Sequence, residues 1–131
     1  MTDAMRTIKA KKAAEVKKEE ASNLFKANKF EEAIVAFTEA EQIDPLNLNF
    51  NSTICLNKAI CQVKLNRNEE ALKQLNICLK MVPEYAKALV KRGEVYQNLE
   101  FWDEAVHDFG AAASIDPAGF GVGQKLKYAQ Q

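Results

Sequence analysis

The chain has 131 residues, 47% of them hydrophobic, with only five glycines and three prolines, so it is long enough for one domain with a buried core and leaves little room for strands. Its 18 basic and 18 acidic side chains give a formal net charge of zero, which excludes a bulk charge attraction to nucleic acid or to an anionic membrane. We therefore expect a soluble all-α protein with no nucleic-acid or membrane partner.

The amino-terminal segment, residues 2–28, contains no helix breaker and is rich in Ala, Lys and Glu, which favour helix. It is longer than the helices that follow, so residues 1–13 are predicted to be an N-terminal helical extension. This extension is either the tail of a preceding helix or a solvated segment. A second helix follows after Lys29 and ends at Asp44 and Pro45, since proline cannot continue a helix.

The next segment, LNLNFNST, is a polar connector in which Asn51 or Ser52 is suited to cap the following helix. Two helix pairs come after it, TICLNKAICQVKLN with NEEALKQLNICLKM, and EYAKALVKRGEVYQNLE with WDEAVHDFGAAASI. In the last pair, the bulky rings of Trp102 and Phe109 are expected to fill gaps opposite small residues such as Gly93. This pattern predicts two interlocked helices joined by a tight turn.

Several markers recur in step along the chain, which indicates an internal repeat. A small alanine is followed by a large apolar residue four positions later, a small residue seven positions later and a proline twelve positions later. The equivalent sets are Ala33, Ala71 and Ala105; Phe37, Leu75 and Phe109; Ala40, Cys78 and Ala112; and Pro45, Pro83 and Pro117. The prolines are 38 and then 34 residues apart, so the connector LNLNFNST carries four extra residues.

The third unit resembles a tetratricopeptide repeat (TPR), a helix-turn-helix unit with a residue signature at fixed offsets. The signature positions that match are Gly93, Tyr96, Ala105, Phe109 and Pro117, while Leu89 replaces Trp and Arg92 replaces Leu. The resemblance implies three TPR units within residues 14–117, approximately 14–47, 52–85 and 86–119, in a right-handed superhelix. Residues 118–131 are then a turn and a capping helix that covers the open end of the array.

In this architecture the first helices of the units line a concave groove. The repeat places on it Lys18, Ser22, Phe25 and Lys26 from the first unit, Asn57, Ile60, Val63 and Lys64 from the second, and Lys87, Lys91 and Glu94 from the third. Five lysines thus converge on one surface of a chain that is neutral as a whole. Lys87 and Lys91 are four residues apart on one helix, a like-charge spacing that is unfavourable unless an anion lies between them.

Five of these side chains resemble the dicarboxylate clamp of chaperone-binding TPR domains. In those domains Lys and Asn from the first unit, Asn from the second, and Lys and Arg from the third hold a C-terminal carboxylate and an Asp side chain. Lys18, Asn57 and Lys87 match, whereas Ser22 replaces Asn and Lys91 replaces Arg without its planar fork. The resemblance further implies apolar contacts to the ligand from Phe25, Ile60 and Val63 and a basic contact from Lys64.

A wider similarity covers almost the whole chain. The stretches KKEEASNLFKANKFEEAIVAFTEAEQIDP, YAKALVKRG and FWDEAVHDF resemble the last TPR block of a DnaJ-type co-chaperone. The His-Pro-Asp signature of a J domain is absent from this sequence, since Asp108 directly follows His107. The resemblance implies a helper of heat-shock chaperones that binds the acidic tail, ending in Glu-Glu-Val-Asp, of the 70 and 90 kDa classes.

The same groove residues allow two other interpretations. In the first, the lysines are ordinary surface charges, with Lys91 paired to Glu94 and Lys18 to Glu15, each pair contributing little in water. In the second, the chain is a TPR scaffold that binds a helix or extended segment of another protein through its apolar groove residues, without a carboxylate clamp. A binding test with a free or a blocked C-terminal carboxylate separates these interpretations.

No set of residues in the sequence indicates catalysis, a cofactor or a metal. Cys55, Cys61 and Cys78 form no Cys-x-x-Cys pair, and His107 is the single histidine, so neither a metal site nor a catalytic constellation is expected. The glycines of AGFGVGQK follow a helix and lack Gly-Lys-Ser or Gly-Lys-Thr, which argues against a nucleotide loop. The amino terminus lacks a secretory signal. We expect a monomeric, cytoplasmic binding domain rather than an enzyme.

Overall fold

The computed structural model describes residues 2–117 and contains six α-helices in that range. They are α1 (Asp3–Lys26), α2 (Phe30–Ile43), α3 (Leu48–Lys64), α4 (Asn68–Met81), α5 (Ala86–Asn98) and α6 (Trp102–Ile115). Each odd-numbered helix packs chiefly against the helix that follows it, and the three hairpins stack in chain order. The part of the chain that is described has no strand, which confirms the all-α class. The predicted turn and capping helix, 118–131, lie outside the described residues.

The residues that mark the repeat in the sequence form the core of the fold. Each of the nine helical marker residues is at most 1% exposed. They are Ala33, Ala71, Ala105, Phe37, Leu75, Phe109, Ala40, Cys78 and Ala112. The prediction that the Trp102 ring fills a gap between the helices is wrong. Trp102 is the first residue of α6, next to the turn of the hairpin, and is 43% exposed.

Helix α3 joins the two halves of the core. Its Ile54 and Cys61 belong to the apolar cluster of the first hairpin, and its Cys55, Leu56 and Ala59 belong to the larger cluster of the second and third hairpins. All five side chains are at most 3% exposed. A helix that is buried on two sides in this way fixes the stacking of the first hairpin on the second.

The three hairpin turns share one backbone geometry. The second residue after each first helix has a positive φ angle: 63° at Asn28, 64° at Asn66 and 64° at Glu100. In each turn the residue after the one with positive φ donates its backbone N–H to the carbonyl of the residue five positions before it. The N···O distances in the three turns are 2.9, 2.7 and 2.8 Å, in chain order. This arrangement satisfies a carbonyl that the end of a helix leaves free. Asparagine tolerates the left-handed region better than most residues other than glycine, which explains its use in two of the three turns.

The four extra residues of the first junction form an additional helical turn. Helix α3 has 17 residues and α5 has 13, and the surplus precedes Ser52. The prediction that Asn51 or Ser52 caps this helix is wrong, because Asn47 is the cap and accepts a hydrogen bond from the backbone N–H of Phe50 at 3.3 Å. Asn51 is buried, and its side-chain amide donates to the Asp44 carbonyl at 2.9 Å.

Helix α1 runs without interruption through the segment predicted as an extension. It has 24 residues, and the hydroxyl of Thr2 caps it by accepting from the Met5 N–H at 3.2 Å. The two buried residues of α1, Ala14 and Ala21, both follow residues 3–13. Met5 and Ile8 are 57% and 56% exposed. Residues 3–13 are therefore a largely solvent-exposed helical segment continuous with the first hairpin.

An ion pair that the sequence analysis missed joins α5 to α6. The Arg92 guanidinium donates to both carboxylate oxygens of Asp108 at 2.7 Å, and to the side-chain oxygen of Asn76 on α4 at 3.1 Å. The Asp108 side chain is only 1% exposed. The hydrogen bonds with the Asp108 carboxylate raise the pKa of Arg92 above the ordinary value of an arginine side chain. Arginine at a position where the TPR signature has leucine is thus used to pair a buried carboxylate.

Removing one member of this pair should destabilise the fold strongly. We expect Arg92→Met to lower the free energy of unfolding by about 3 to 5 kcal/mol, because it leaves the buried Asp108 carboxylate without its counter-charge. Chemical denaturation measures this loss. The double variant Arg92→Met with Asp108→Leu replaces the pair by apolar groups and should recover most of the stability. Equal losses in the single and double variants would contradict this role of the ion pair.

The crossing of α5 and α6 depends on the absence of a side chain at Gly93. A Cβ atom there would lie 2.5 Å from Cε1 of Phe109, whose ring is fully buried. Gly93→Ala should therefore lower the free energy of unfolding by about 1 kcal/mol or more, since overpacking exceeds the gain in helix propensity. Gly110→Ala is the matched control, because a Cβ at Gly110 meets nothing within 4 Å.

For Gly110→Ala we expect an increase in the free energy of unfolding of about 0.5 to 1 kcal/mol, as for other glycines in helix interiors. Thermal and denaturant unfolding of the two variants give the comparison. If both variants changed the free energy of unfolding by the same amount and in the same direction, the packing of Phe109 against residue 93 would not be what requires glycine there.

Candidate functional site

The predicted groove residues lie on the first helix of each hairpin. Helix α1 carries Lys18, Ser22 and Phe25, α3 carries Asn57, Ile60, Val63 and Lys64, and α5 carries Lys87 and Lys91. The α1 residues, and Asn57, Ile60 and Lys64 of α3, recur at spacings of three, four and seven, so on each helix they share one face. Val63 directly precedes Lys64 and is therefore turned away from Asn57 around the helix. The three helices thus present one set of polar and apolar side chains each.

A cleft of about 200 Å³ brings five of the predicted groove residues together. It is lined by Ser22, Phe25 and Lys26 of α1, Asn57 and Ile60 of α3, and Phe37 of α2. Phe37 was predicted only as a core residue, and the cleft reaches down to its ring. Two aromatic rings and an aliphatic side chain therefore lie beside a hydroxyl, an amide and an ammonium group. Such a cleft can hold an apolar side chain while its polar groups bind neighbouring oxygen atoms.

The ring of Phe25 is held in place from the side. It packs edge-on against Phe30 of α2, with 5.3 Å between the ring centroids and an angle of 69° between the ring planes. This is a favourable geometry for two aromatic rings. The apolar wall that α1 contributes to the cleft is therefore anchored by α2.

Lys18 lies one helical turn before Ser22 and is directed towards α3. Its Nζ atom is 5.7 Å from the centroid of the Phe50 ring, within the range of a cation–π contact. The lysine of this part of α1 that forms ion pairs is the neighbouring Lys17, which contacts Glu20 at 3.2 Å and Glu39 at 2.8 Å. Phe50 belongs to the additional turn of α3, and the sequence analysis did not include it in the groove. The unusual length of the first junction was the signal that could have found it.

On α5 the two lysines differ in their surroundings. Lys91 donates to Glu94 at 2.8 Å, and the two side chains are 28% and 32% exposed. This is the ion pair that the interpretation of the lysines as surface charges predicts. Lys87, one turn earlier, is exposed. A ligand carboxylate that bound Lys91 would have to compete with Glu94.

The other two predicted residues lie near the carboxyl end of α3. Val63 is half-buried and packs against the apolar cluster of the second and third hairpins. Lys64 is the last residue of α3 and is exposed. Val63 therefore offers only part of its surface to a ligand, whereas the charge of Lys64 is accessible.

The cysteines are unsuited to chemistry at neutral pH. Burial raises the pKa of Cys55 to about 12 and the pKa values of Cys61 and Cys78 to about 11. The thiolate is the reactive and metal-binding form of cysteine, so these residues act as small apolar side chains. The side chain of His107 is 81% exposed. Among residues 2–117 no three His, Cys, Asp or Glu side chains cluster as a metal site.

No helix within residues 2–117 is both long enough and apolar enough to cross a bilayer.

Comparisons with known proteins agree with the fold. The tetratricopeptide repeat family model matches residues 24–93. A DnaJ homolog subfamily C member 7 homolog of Dictyostelium discoideum is 32% identical over 94% of this chain and 23% of its own length. The homolog of the same name in Schizosaccharomyces pombe is 31% identical over 98% of this chain and 27% of its own length. The chain therefore spans about a quarter of these relatives.

A solved structure extends the comparison to three dimensions. The first TPR of Spaghetti (RPAP3), bound to the HSP90 peptide SRMEEVD, is 27% identical, and the match covers 90% of each chain with a TM-score of 0.82. TPR folds of this kind are interaction modules. Since the family model covers more than half of the residues and the helical hairpins agree with it, this chain belongs to the tetratricopeptide repeat family.

Proposed function

We propose that this chain is a co-chaperone TPR domain that binds the acidic C-terminal tail of heat-shock chaperones of the 70 and 90 kDa classes. The tail ends in Glu-Glu-Val-Asp and would lie in the groove of α1, α3 and α5. The observation that carries the proposal is the cleft in which Ser22, Phe25, Asn57 and Ile60 meet. It offers an apolar recess directly beside hydrogen-bond donors, which suits a peptide that alternates a valine with carboxylates.

Each predicted residue has a distinct role in this proposal. Lys18, Lys87 and Lys91 supply positive charge, Ser22 and Asn57 donate hydrogen bonds to carboxylate oxygens, Phe25, Ile60 and Val63 contact apolar side chains, and Lys64 adds charge at the end of α3. The peptide carries four negative charges, counting its terminal carboxylate. The groove is therefore complementary to it although the chain as a whole is neutral.

The lysines and the cleft are expected to contribute differently. Ion pairs at exposed positions add only about 0 to 1 kcal/mol and are screened by salt. A hydrogen bond from an uncharged donor to a carboxylate contributes about 1.5 to 3 kcal/mol. Asn57, which is half-buried in the cleft wall, should thus matter more for affinity than any single lysine. The lysines would speed the encounter and favour acidic partners.

The comparisons support this proposal in two ways. The RPAP3 structure is of a TPR domain with a bound HSP90 peptide, and its fold matches this chain over 90% of both. The two sequence relatives described above are DnaJ-type proteins. We further propose that the domain acts as a cytoplasmic monomer, without a cofactor and without catalysing a reaction.

A second candidate function is a TPR groove that binds an apolar protein segment without needing a free carboxylate. The ion pair of Lys91 with Glu94 favours it, because this pair already neutralises one of the five lysines. The aromatic lining of the cleft would serve such a partner equally well. The two candidates differ in a single property of the ligand, which is the charge at its C-terminus.

Calorimetric titration with a peptide ending in Glu-Glu-Val-Asp tests the proposal. We expect binding of the free acid and strong weakening with the C-terminal amide, since amidation removes the negative charge and replaces one of the two carboxylate oxygens by an NH2 group, which donates instead of accepting. Asn57→Ala should leave the melting temperature nearly unchanged and weaken binding of the free acid by about 1.5 to 3 kcal/mol. Asn23→Ala is the matched control, because Asn23 is exposed on α1 and does not line the cleft.

The outcomes separate the two candidates. Equal affinity for the acid and the amide would contradict the carboxylate clamp and favour the second candidate. Absence of binding to either peptide would overturn the proposed function.

A further inference from the structure

The additional turn of α3 brings an aromatic ring against a charged residue of the groove. Phe50 lies on that turn, and its ring is the partner of the Lys18 ammonium at 5.7 Å. The third unit has no equivalent, because α5 begins at Ala86 without the extra turn. The contact is therefore a consequence of the four residues by which the first junction exceeds the second.

The position of Phe50 is fixed by its neighbours. Its backbone N–H donates to the side-chain oxygen of Asn47 at 3.3 Å, which caps the helix. The next residue, Asn51, is buried and donates to the Asp44 carbonyl at 2.9 Å. The Phe50 ring is half-buried and packs against the apolar cluster of the first hairpin. The backbone of this turn is thus held by hydrogen bonds, and one side of the ring is in contact with the core.

The contact is located next to the cleft. Phe50 precedes Asn57 by seven residues, which places both on one face of α3 about two turns apart. Lys18 precedes Ser22 by four residues, so these two share one face of α1. The Lys18–Phe50 contact therefore joins α1 to α3 at a point one turn before Ser22 on α1 and about two turns before Asn57 on α3. Lys18 does not line the cleft itself, but it lies one helical turn from Ser22, which does.

We propose that Phe50 is a positioning residue of the groove, which holds the Lys18 ammonium over its ring so that an acidic C-terminal ligand meets a charge already in place. This inference rests on the proposed function. A solvated lysine side chain on a protein surface loses rotamer freedom when it binds a ligand. A lysine side chain that already contacts a ring has fewer rotamers to lose. The face of the ring carries negative charge density and attracts the ammonium without neutralising it, so the lysine keeps its charge for the ligand.

The test compares three single variants and one double variant by calorimetric titration with a free-acid peptide ending in Glu-Glu-Val-Asp. Phe50→Leu keeps apolar bulk but removes the ring, and it should weaken binding about two- to fivefold, the range for an exposed cation–π contact. Phe50→Tyr keeps the ring and should bind within twofold of the parent. In a Lys18→Met background, Phe50→Leu should cause no further loss, because the cation that the ring positions is gone.

A second measurement uses the free protein and does not depend on the ligand. The ε-methylene protons of Lys18 should show an upfield ring-current shift in the nuclear magnetic resonance spectrum. This shift should be present with Phe50→Tyr and absent with Phe50→Leu. Melting temperatures of the variants show whether any loss of binding comes from unfolding.

Three results would overturn the inference. They are an unchanged affinity in Phe50→Leu, an equal loss in the parent and Lys18→Met backgrounds, and a Lys18 signal that is insensitive to the ring. If the unaltered chain bound no acidic peptide, the proposed function would fail and this inference with it. Binding by the parent with no effect of Phe50→Leu would remove only the role of Phe50.

Discussion

The fold depends on the close approach of the two helices in each hairpin. At the same position of the three hairpins, Ala33, Ala71 and Ala105 are fully buried. A large side chain four residues later, such as the ring of Phe109, then fits against the facing helix, where a Cβ on Gly93 would lie only 2.5 Å away. Small residues allow the approach, and large residues fill the space that it leaves. A change in either size would shift one helix relative to its partner.

This constraint also determines the groove. Because each second helix is locked to its first helix, α1, α3 and α5 are held side by side by the second helices and by the shared packing of α3. The cleft between α1 and α3 has the Phe37 ring of α2 among its lining residues. Packing in the core thus sets the distance between Ser22 and Asn57, which come from different hairpins. In the proposed site, Ser22 and Asn57 can both donate to the same peptide only if this distance matches the spacing of its carboxylate oxygens. Core packing and ligand binding are therefore linked.

The sequence predicted the repeat and its core well, because markers such as Phe109 recur with fixed spacing and burial follows from that spacing. It did not predict contacts that depend on which charged groups meet across helices, such as Arg92 with Asp108. It also misplaced the start of α3, since several asparagines of the connector are equally good caps and only the structure selects Asn47. The contact of Phe50 with Lys18 was not predicted either, because the turn that carries Phe50 was interpreted as a connector.

The central claim is that the surface formed by α1, α3 and α5 is where an acidic C-terminal peptide binds. Proton–nitrogen correlation spectra, recorded while a free-acid peptide ending in Glu-Glu-Val-Asp is added, test it most directly. The account predicts that the largest shifts occur at Ser22, Asn57 and Lys87. It predicts little change at Val35 of α2 and Ile77 of α4, which are exposed away from the cleft lining. Largest shifts at Val35 and Ile77, or none anywhere at saturating peptide, would contradict it.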